Sequence, residues 1–295
     1  MTPRVPSFLY AGAAKAGSFW IYEVLREHPE VFVPDVKDIM FFERSYSLGW
    51  DWYLSHFARA TNEKVAGELS HDYFLEREYA ERIRHHLPDV KLLFCLREGV
   101  ERTYSEYLYD RTIFQYATAA QYRHGFTFEQ FATLGVIEHL SDYYRNLLPF
   151  YELFPPEQIL VLFFDNLKED NASFARRIFE FLSVDADFVP SLLDKKVNAA
   201  RKARAPRVAE AVYRAGALLR RMGMASTVGS LKRRSWFEWL LYRPMDSRRE
   251  AEPLRPDVVL RLRERYHKDY TRLAELIGKP LPSTWTAPPS APAAE

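Results

Sequence analysis

Short apolar runs, separated by small or charged residues and by longer amphipathic stretches, fill the first two thirds of the chain. Residues 7–10 predict a strand, the small-residue stretch 11–17 a loop, and residues 18–27 an apolar helix closed by His28-Pro29. A second strand is predicted at 65–69, followed by Ser70-His71-Asp72 and a helix over 76–86 that ends before Pro88. The continuous apolar run 91–96 reads as a strand buried on both faces, and it leads through Arg97-Glu98 into a helix reaching Tyr109. A last strand over 159–164 precedes Asp165, read as a helix-capping residue, and a helix over 173–182. Strands alternating with helices predict an α/β fold, a central parallel sheet flanked by helices with ligands at the carboxyl ends of the strands.

From Pro190 the pattern changes. A basic segment leads into a helix over 208–222 in which apolar and arginine residues interleave, then a patch around Trp236 and Trp239, and a final helix over 257–277. We expect a single domain over 1–285, with 199–249 as a helical basic insertion within it. Residues 286–295, rich in Pro and Ala, are expected to be disordered.

Composition narrows the class. With 295 residues, 47% of them hydrophobic and 15% aromatic, the chain can bury a full core. Its single cysteine, Cys95, lies inside an apolar run, which leaves neither a disulfide framework nor a zinc site and predicts a buried thiol. The N-terminus lacks the pattern of a secretory signal, and no run approaches the roughly 18 apolar residues of a membrane span, so a soluble, cytoplasmic protein is expected. The formal net charge of +1 conceals a division: residues 199–249 hold thirteen Lys and Arg against three Asp and Glu. A basic stretch with interleaved aromatic residues suits contact with an anionic membrane surface or a lipid-linked acceptor, or simply a solvated amphipathic helix packed on the domain. Nucleic-acid binding is disfavoured, because no recognised module accompanies the charge.

The chemistry concentrates in loops that leave predicted strand ends. Gly12-Ala13-Ala14-Lys15-Ala16-Gly17-Ser18 joins a strand to a helix, where backbone N–H groups and the positive helix end can hold an anion. Lys15 adds a mobile charge, and Ser18 can cap the helix or donate to a phosphate oxygen. A small-residue turn carrying a solvated lysine is the plain alternative. The order of residues differs from a Walker A loop, in which lysine directly follows the second glycine; here Lys15 precedes Gly17 by two positions. The strand over 91–96 ends in Arg97 where a magnesium-binding aspartate would be sought, so a phosphoryl-transfer enzyme of related P-loop fold is the second choice. A non-catalytic, membrane-peripheral binding protein is the third.

At this point the residues carry a family resemblance. Lys15-Ala16-Gly17-Ser18-Phe19-Trp20 resembles the 5'-phosphosulfate loop of sulfotransferases that use 3'-phosphoadenosine 5'-phosphosulfate (PAPS), usually Lys-x-Gly-Thr-Thr; Phe19 replaces the second hydroxyl residue. Leu96-Arg97-Glu98-Gly99-Val100-Glu101-Arg102-Thr103-Tyr104-Ser105 is similar to the 3'-phosphate segment, commonly Leu-Arg-Asp-Pro-x-x-Arg-x-x-Ser, with Gly99 in the place of proline, a change expected to affect only the turn. The basic stretch containing Asn198, Arg201, Lys202 and Arg204 resembles the segment that closes over the nucleotide. The resemblance, to the bacterial type and the glycosaminoglycan branch, implies a P-loop-like nucleotide-binding core and metal-free, in-line transfer of a sulfuryl group from PAPS, with PAP as product. The implied acceptor is a hydroxyl of a carbohydrate, a lipid-linked molecule or a small natural product.

That transfer needs positive charge at the leaving oxygen, which Lys15 can supply, and a base for the acceptor. Val36-Lys37-Asp38-Ile39-Met40-Phe41-Phe42 resembles the Lys-Glu-x-x-Phe-Phe stretch whose carboxylate is the base in the glycosaminoglycan-type enzymes, which favours Asp38, one methylene shorter than glutamate. His71 is the rival, its ordinary pKa being suited to base work near neutrality. Glu68 is a third candidate, read more readily as an orienting residue. Phe42, Tyr107 and Arg111 are candidates to line the acceptor site, with core packing and helical spacing as their plain alternatives.

Overall fold

The computed structural model describes residues 4–110, 126–193, 201–203, 242–244 and 254–286. Five strands form one all-parallel sheet in the order β2-β3-β1-β4-β5: β1 Phe8–Gly12, β2 Val31–Phe32, β3 Val65–Leu69, β4 Lys91–Leu96 and β5 Ile159–Phe163. The central three are almost entirely buried, which is why they read as unbroken apolar runs. Crossovers are α1 (Ser18–Glu27), α2 (Trp50–Ser55), α3 (Arg77–His86) and, between β4 and β5, α4 (Gly99–Tyr109), α5 (Phe128–Ala132), α6 (Gly135–His139) and α7 (Tyr143–Leu153). After β5 come α8 (Phe164–Glu169) and α9 (Asn171–Leu182). A two-stranded antiparallel pair, β6 (Arg201–Ala203) with β7 (Tyr242–Pro244), ties the two ends of the basic insertion together, and α10 (Pro256–Ile277) and α11 (Ser283–Thr286) follow. From β1 the chain turns toward β2 and β3, whereas from β4 it turns toward β5. The β1/β4 junction is therefore the switch point at which loops diverge and leave a crevice.

Several elements depart from the pattern. β1 runs two residues beyond the predicted strand, to Gly12, because small residues let the neighbouring loop close over it: a Cβ on Gly12 would meet the Phe74 ring at 2.5 Å. β2 is two residues long, too short to leave a period in the sequence. Asp165 caps no helix. It lies within the first turn of α8, where its carboxylate accepts from Thr284 Oγ1 (2.7 Å) and Trp285 Nε1 (3.0 Å), pinning the fully buried Trp285 to the sheet. The helix expected from 173 begins at Asn171, capped by Asp170, which accepts from the Ser173 amide at 3.0 Å. Cys95 is fully buried as expected, and burial pushes its thiol far above the ordinary range. No helix among the described residues is long and apolar enough to cross a membrane. The predicted helix over 208–222, the Trp236/Trp239 patch and the tail beyond Thr286 lie outside the described residues.

Candidate active site

Three loops meet at the carboxyl ends of β1, β3 and β4. In the first, Lys15 (φ 62°) and Gly17 (φ 93°) both adopt the left-handed conformation, which turns the chain sharply into α1. Gly17 takes the cap position, so Ser18 is the first helical residue and not the cap. The amides of Ser18, Phe19 and Trp20 begin the helix, where no intrahelical carbonyl is available to them. Ala16 is fully buried and Trp20 packs its ring edge-on against Phe174, so both can offer a ligand only backbone, whereas the Phe19 side chain is exposed.

The Lys15 ammonium lies 3.5 Å from the centre of the Tyr109 ring. Burial pulls its pKa down to about 8 even though Glu106 and Asp110 favour its charge; Arg102 and Arg97 oppose it. Asp110 is raised to about 7, first by burial and then by Glu106, with Lys15 acting against them. The last turn of α4 thus forms an acidic and aromatic seat for the lysine.

The second loop is stitched to the first. Arg97 donates from Nη1 to the Lys15 carbonyl (3.3 Å) and from Nε to Glu101 (3.2 Å), with its guanidinium over the Phe164 ring at 4.7 Å. Its backbone is held by Tyr143, whose hydroxyl donates to the Arg97 carbonyl at 2.7 Å. Glu98 caps α4 by accepting from the Glu101 amide (2.8 Å). Gly99 does more than turn the chain: its N–H donates to the Tyr270 hydroxyl (3.2 Å), and a Cβ there would meet the Tyr266 ring at 2.6 Å. Proline would lose that bond and strike that ring, so the departure from the family pattern is coupled to the packing of α10. Arg102, fully buried, donates to Ser141 Oγ at 2.6 Å and supports the segment from behind. Ser105 is half-buried and its hydroxyl has no hydrogen-bond partner among the described residues. A cleft of about 210 Å³ between α6, α7 and α10 borders the back of this segment, with Tyr143, Tyr266 and Tyr270 in its wall.

The third loop, 37–41, hangs from the end of β3. The Asp38 amide donates to the Leu69 carbonyl (2.9 Å), that of Met40 to Ser70 Oγ (3.0 Å), and that of Phe41 to the Tyr73 hydroxyl (2.8 Å). Asp38 (φ 61°) and Met40 (φ 55°) are left-handed, and a π-helical turn over Phe41–Ser45 follows. Asp38 Oδ1 lies 2.6 Å from His71 Nδ1 and 2.8 Å from Lys37 Nζ. Burial pushes the Asp38 carboxyl up, but Lys37 and His71 together overrule it and hold it well below the usual carboxylate range. Burial alone would lower His71; the Asp38 carboxylate outweighs it and raises the imidazole above its ordinary value. His71 Nε2 makes no hydrogen bond among the described residues, and Asp72 Oδ1 lies 3.7 Å from it. Asp38 and His71, rivals in the sequence, are therefore one coupled pair.

Two residues expected to line the acceptor site, Phe42 and Tyr107, and the third base candidate, Glu68, are enclosed by the protein. Phe42 is fully buried between Tyr53 and Tyr73. Tyr107 is buried against Phe128 and Phe131, with its hydroxyl donating to the Phe126 carbonyl, and Glu68 is enclosed beneath the 37–41 loop. None of the three can touch an acceptor without repacking. Arg111, Asn198 and Arg204 lie outside the described residues; Arg201 and Lys202 are described only as backbone of β6. The tyrosine seat of Lys15 and the hydroxyls of Tyr143 and Tyr270 carried no local signal, because helical tyrosines read equally well as packing.

The chain is similar to known sulfotransferases. A family model described as "Sulfotransferase domain" matches residues 6–204. The chain is 28% identical over 187 residues to heparan sulfate glucosamine 3-O-sulfotransferase 3B1 of Mus musculus, covering 61% of this chain and 47% of that one. It is 30% identical over 184 residues to heparan sulfate glucosamine 3-O-sulfotransferase 6 of Homo sapiens, covering 61% and 53%. A third relative, membrane-associated sulfotransferase kil1 of Dictyostelium discoideum, is 33% identical over 106 residues, covering 35% and 22%. The match thus spans about half the length, or less, of these relatives. A crystal structure of a sulfotransferase from Alicyclobacillus acidocaldarius shares the fold, with a TM-score of 0.67 at 20% identity over 96% of this chain and 100% of that one. With the family model matching residues 6–204, two thirds of its length, the chain belongs to the sulfotransferase family.

Proposed function

We propose that this protein transfers a sulfuryl group from PAPS to an acceptor hydroxyl, with the Asp38–His71 pair taking the acceptor's proton. The observation that carries the reading is the 2.6 Å contact between Asp38 and His71 at the end of β3, next to the strand whose loop bears Lys15. The residues present fit the cofactor: amides at the start of α1 that no helix carbonyl receives, the cations Lys15 and Arg97, and the Ser105 hydroxyl, which has no hydrogen-bond partner among the described residues. When bound, PAPS supplies an activated sulfuryl group. Lys15 and the Ser18 to Trp20 amides hold its 5' end, and Arg97 and Ser105 its 3'-phosphate. Lys15 places its charge where negative charge develops on the leaving oxygen.

Asp38 is favoured by the motif, but a carboxyl held this low is a weak base. With Nδ1–H directed at Asp38, neutral His71 presents its lone pair at Nε2, and Asp38 stabilises the imidazolium that forms. Activity should therefore rise with pH as His71 loses its proton, at a pKa above the ordinary 6.5. The matching relatives are named for a glucosamine acceptor, which supports a carbohydrate hydroxyl, with lipid-linked and small natural-product acceptors of the same chemistry beside it. The basic segment 199–249 supports a further element, contact with an anionic membrane, which co-sedimentation with anionic against neutral vesicles tests.

The test is turnover of PAPS with a panel of carbohydrate acceptors, followed by PAP release and the mass of the product. His71→Asn and Asp38→Asn should each lower kcat by roughly 10² to 10⁴ while PAP binding persists. A pH profile flat from 5 to 9, or full turnover in His71→Asn, would move the base elsewhere.

A further inference from the structure

Directly beneath the 37–41 loop lies a carboxylate that the proposed chemistry does not use. Glu68, on β3, is 1% exposed. Its Oε1 accepts from the Tyr73 hydroxyl at 2.6 Å and the Tyr53 hydroxyl at 3.2 Å, and its Oε2 accepts from Ser70 Oγ at 2.7 Å. Two of these three hydroxyls are the groups that receive the Met40 and Phe41 amides. We propose that Glu68 is a positioning residue for proton abstraction, a two-armed clamp that holds residues 38–41 through Ser70 and Tyr73.

The chemistry requires an ionised carboxylate. Three hydroxyl protons converge on it, and only an acceptor-only group can take them all. With their own protons committed to Glu68, the Ser70 and Tyr73 oxygens are left with lone pairs facing the loop, and each accepts a backbone amide. Asp38 and Met40 stand in left-handed conformations that persist only where the surroundings over-determine them. The two arms, with the Asp38 amide on the Leu69 carbonyl, supply that determination. They thereby fix the reach of Asp38 to His71.

The groups facing Glu68 are Tyr53 from α2, Ser70 and Tyr73 from the turn after β3, and Asp38 from the loop. Burial raises Glu68 to about 7, against the pull of the Tyr73, Ser70 and Tyr53 hydrogen bonds. A protonated Glu68 must donate where it now accepts, and donation to Ser70 or Tyr73 reverses an arm. The clamp is complete above about pH 7 and loosens below it.

This inference rests on the assignment of the Asp38–His71 pair as base, and the experiment separates the two. The His71 imidazole is titrated by NMR in the wild type, Glu68→Gln and Tyr73→Phe, with His71→Asn identifying its signal; PAP affinity and kcat are measured alongside. We expect the His71 pKa in both variants to fall back toward 6.5, kcat to drop by roughly 10- to 100-fold, and PAP affinity to stay within about twofold, because the phosphate loops leave other strands. An unchanged His71 pKa and kcat in folded Tyr73→Phe and Glu68→Gln would overturn the clamp. If His71→Asn and Asp38→Asn instead leave kcat intact, the base assignment fails, and the His71 pKa still decides whether Glu68 sets the loop.

Discussion

Lys15 offers a quantitative test of the cofactor site. In the free protein its ammonium lies on the Tyr109 ring, and burial brings its pKa down to about 8, against Glu106 and Asp110 and with Arg102 and Arg97. A phosphate dianion some 4 Å away interacts with it by about 4 kcal/mol per unit charge at an effective dielectric constant near 20, enough to raise the pKa by roughly three units. Binding PAP must then take up the proton that the free lysine lacks: about 0.1 proton at pH 7, about 0.5 at pH 8 and about 0.9 at pH 9. By the same linkage PAP affinity falls about tenfold from pH 7 to pH 9. The phosphates themselves contribute little in this window, their second pKa lying near 6. Calorimetry in two buffers of different ionisation enthalpy reads the uptake directly. Lys15→Arg, which cannot deprotonate, should abolish it. Asp110→Asn is the control for a second source of uptake, since that carboxyl, raised to about 7, could take a proton as Lys15 leaves its seat. Uptake below about 0.1 proton at pH 8, or uptake undiminished in Lys15→Arg, would refute the assignment of Lys15 to the phosphate.

Three further outcomes follow from the packing. Gly99→Pro, which restores the residue usual in the family motif, should destabilise by about 2–4 kcal/mol through the lost bond to Tyr270 and the clash with Tyr266, lowering Tm by roughly 5–10 °C and weakening PAP binding. Gly99→Ala, keeping the N–H, should fall between. Trp285→Ala should cost about 3–5 kcal/mol in denaturant unfolding, since it empties a fully buried site and leaves Asp165 without its indole donor. Cys95 should resist thiol-reactive dyes in the native protein and react at once in denaturant, because it is fully buried and its thiolate is strongly disfavoured.

Much of the frame was legible in the chain itself. Strands β3 and β4 and helix α1 fall where the periodicity predicts them, and Arg97 leaves a strand end as its position in the motif requires. These features are local: an apolar run long enough to be buried on both faces, or a small-residue loop ahead of an amphipathic helix, declares itself within a dozen residues. What failed was either too short to carry a period, as in β2, or decided by a distant partner. Asp165 read as a cap until Trp285, 120 residues away, claimed it.

The site divides along the same line. Sequence alone determined which residue types stand at which strand ends, because the apolar runs that mark the strands and the polar residues that follow them are adjacent in the chain. It could not decide between Asp38 and His71, since the 2.6 Å contact joining them spans 33 residues and depends on β2 pairing with β3, which brings the 37–41 loop to the end of β3. Nor could it show that Glu68 lies under the loop it holds, or that Lys15 is seated on Tyr109. Hydrogen bonds, burial and pKa shifts depend on distances of a few ångströms between residues remote in the chain, and tertiary packing sets those distances.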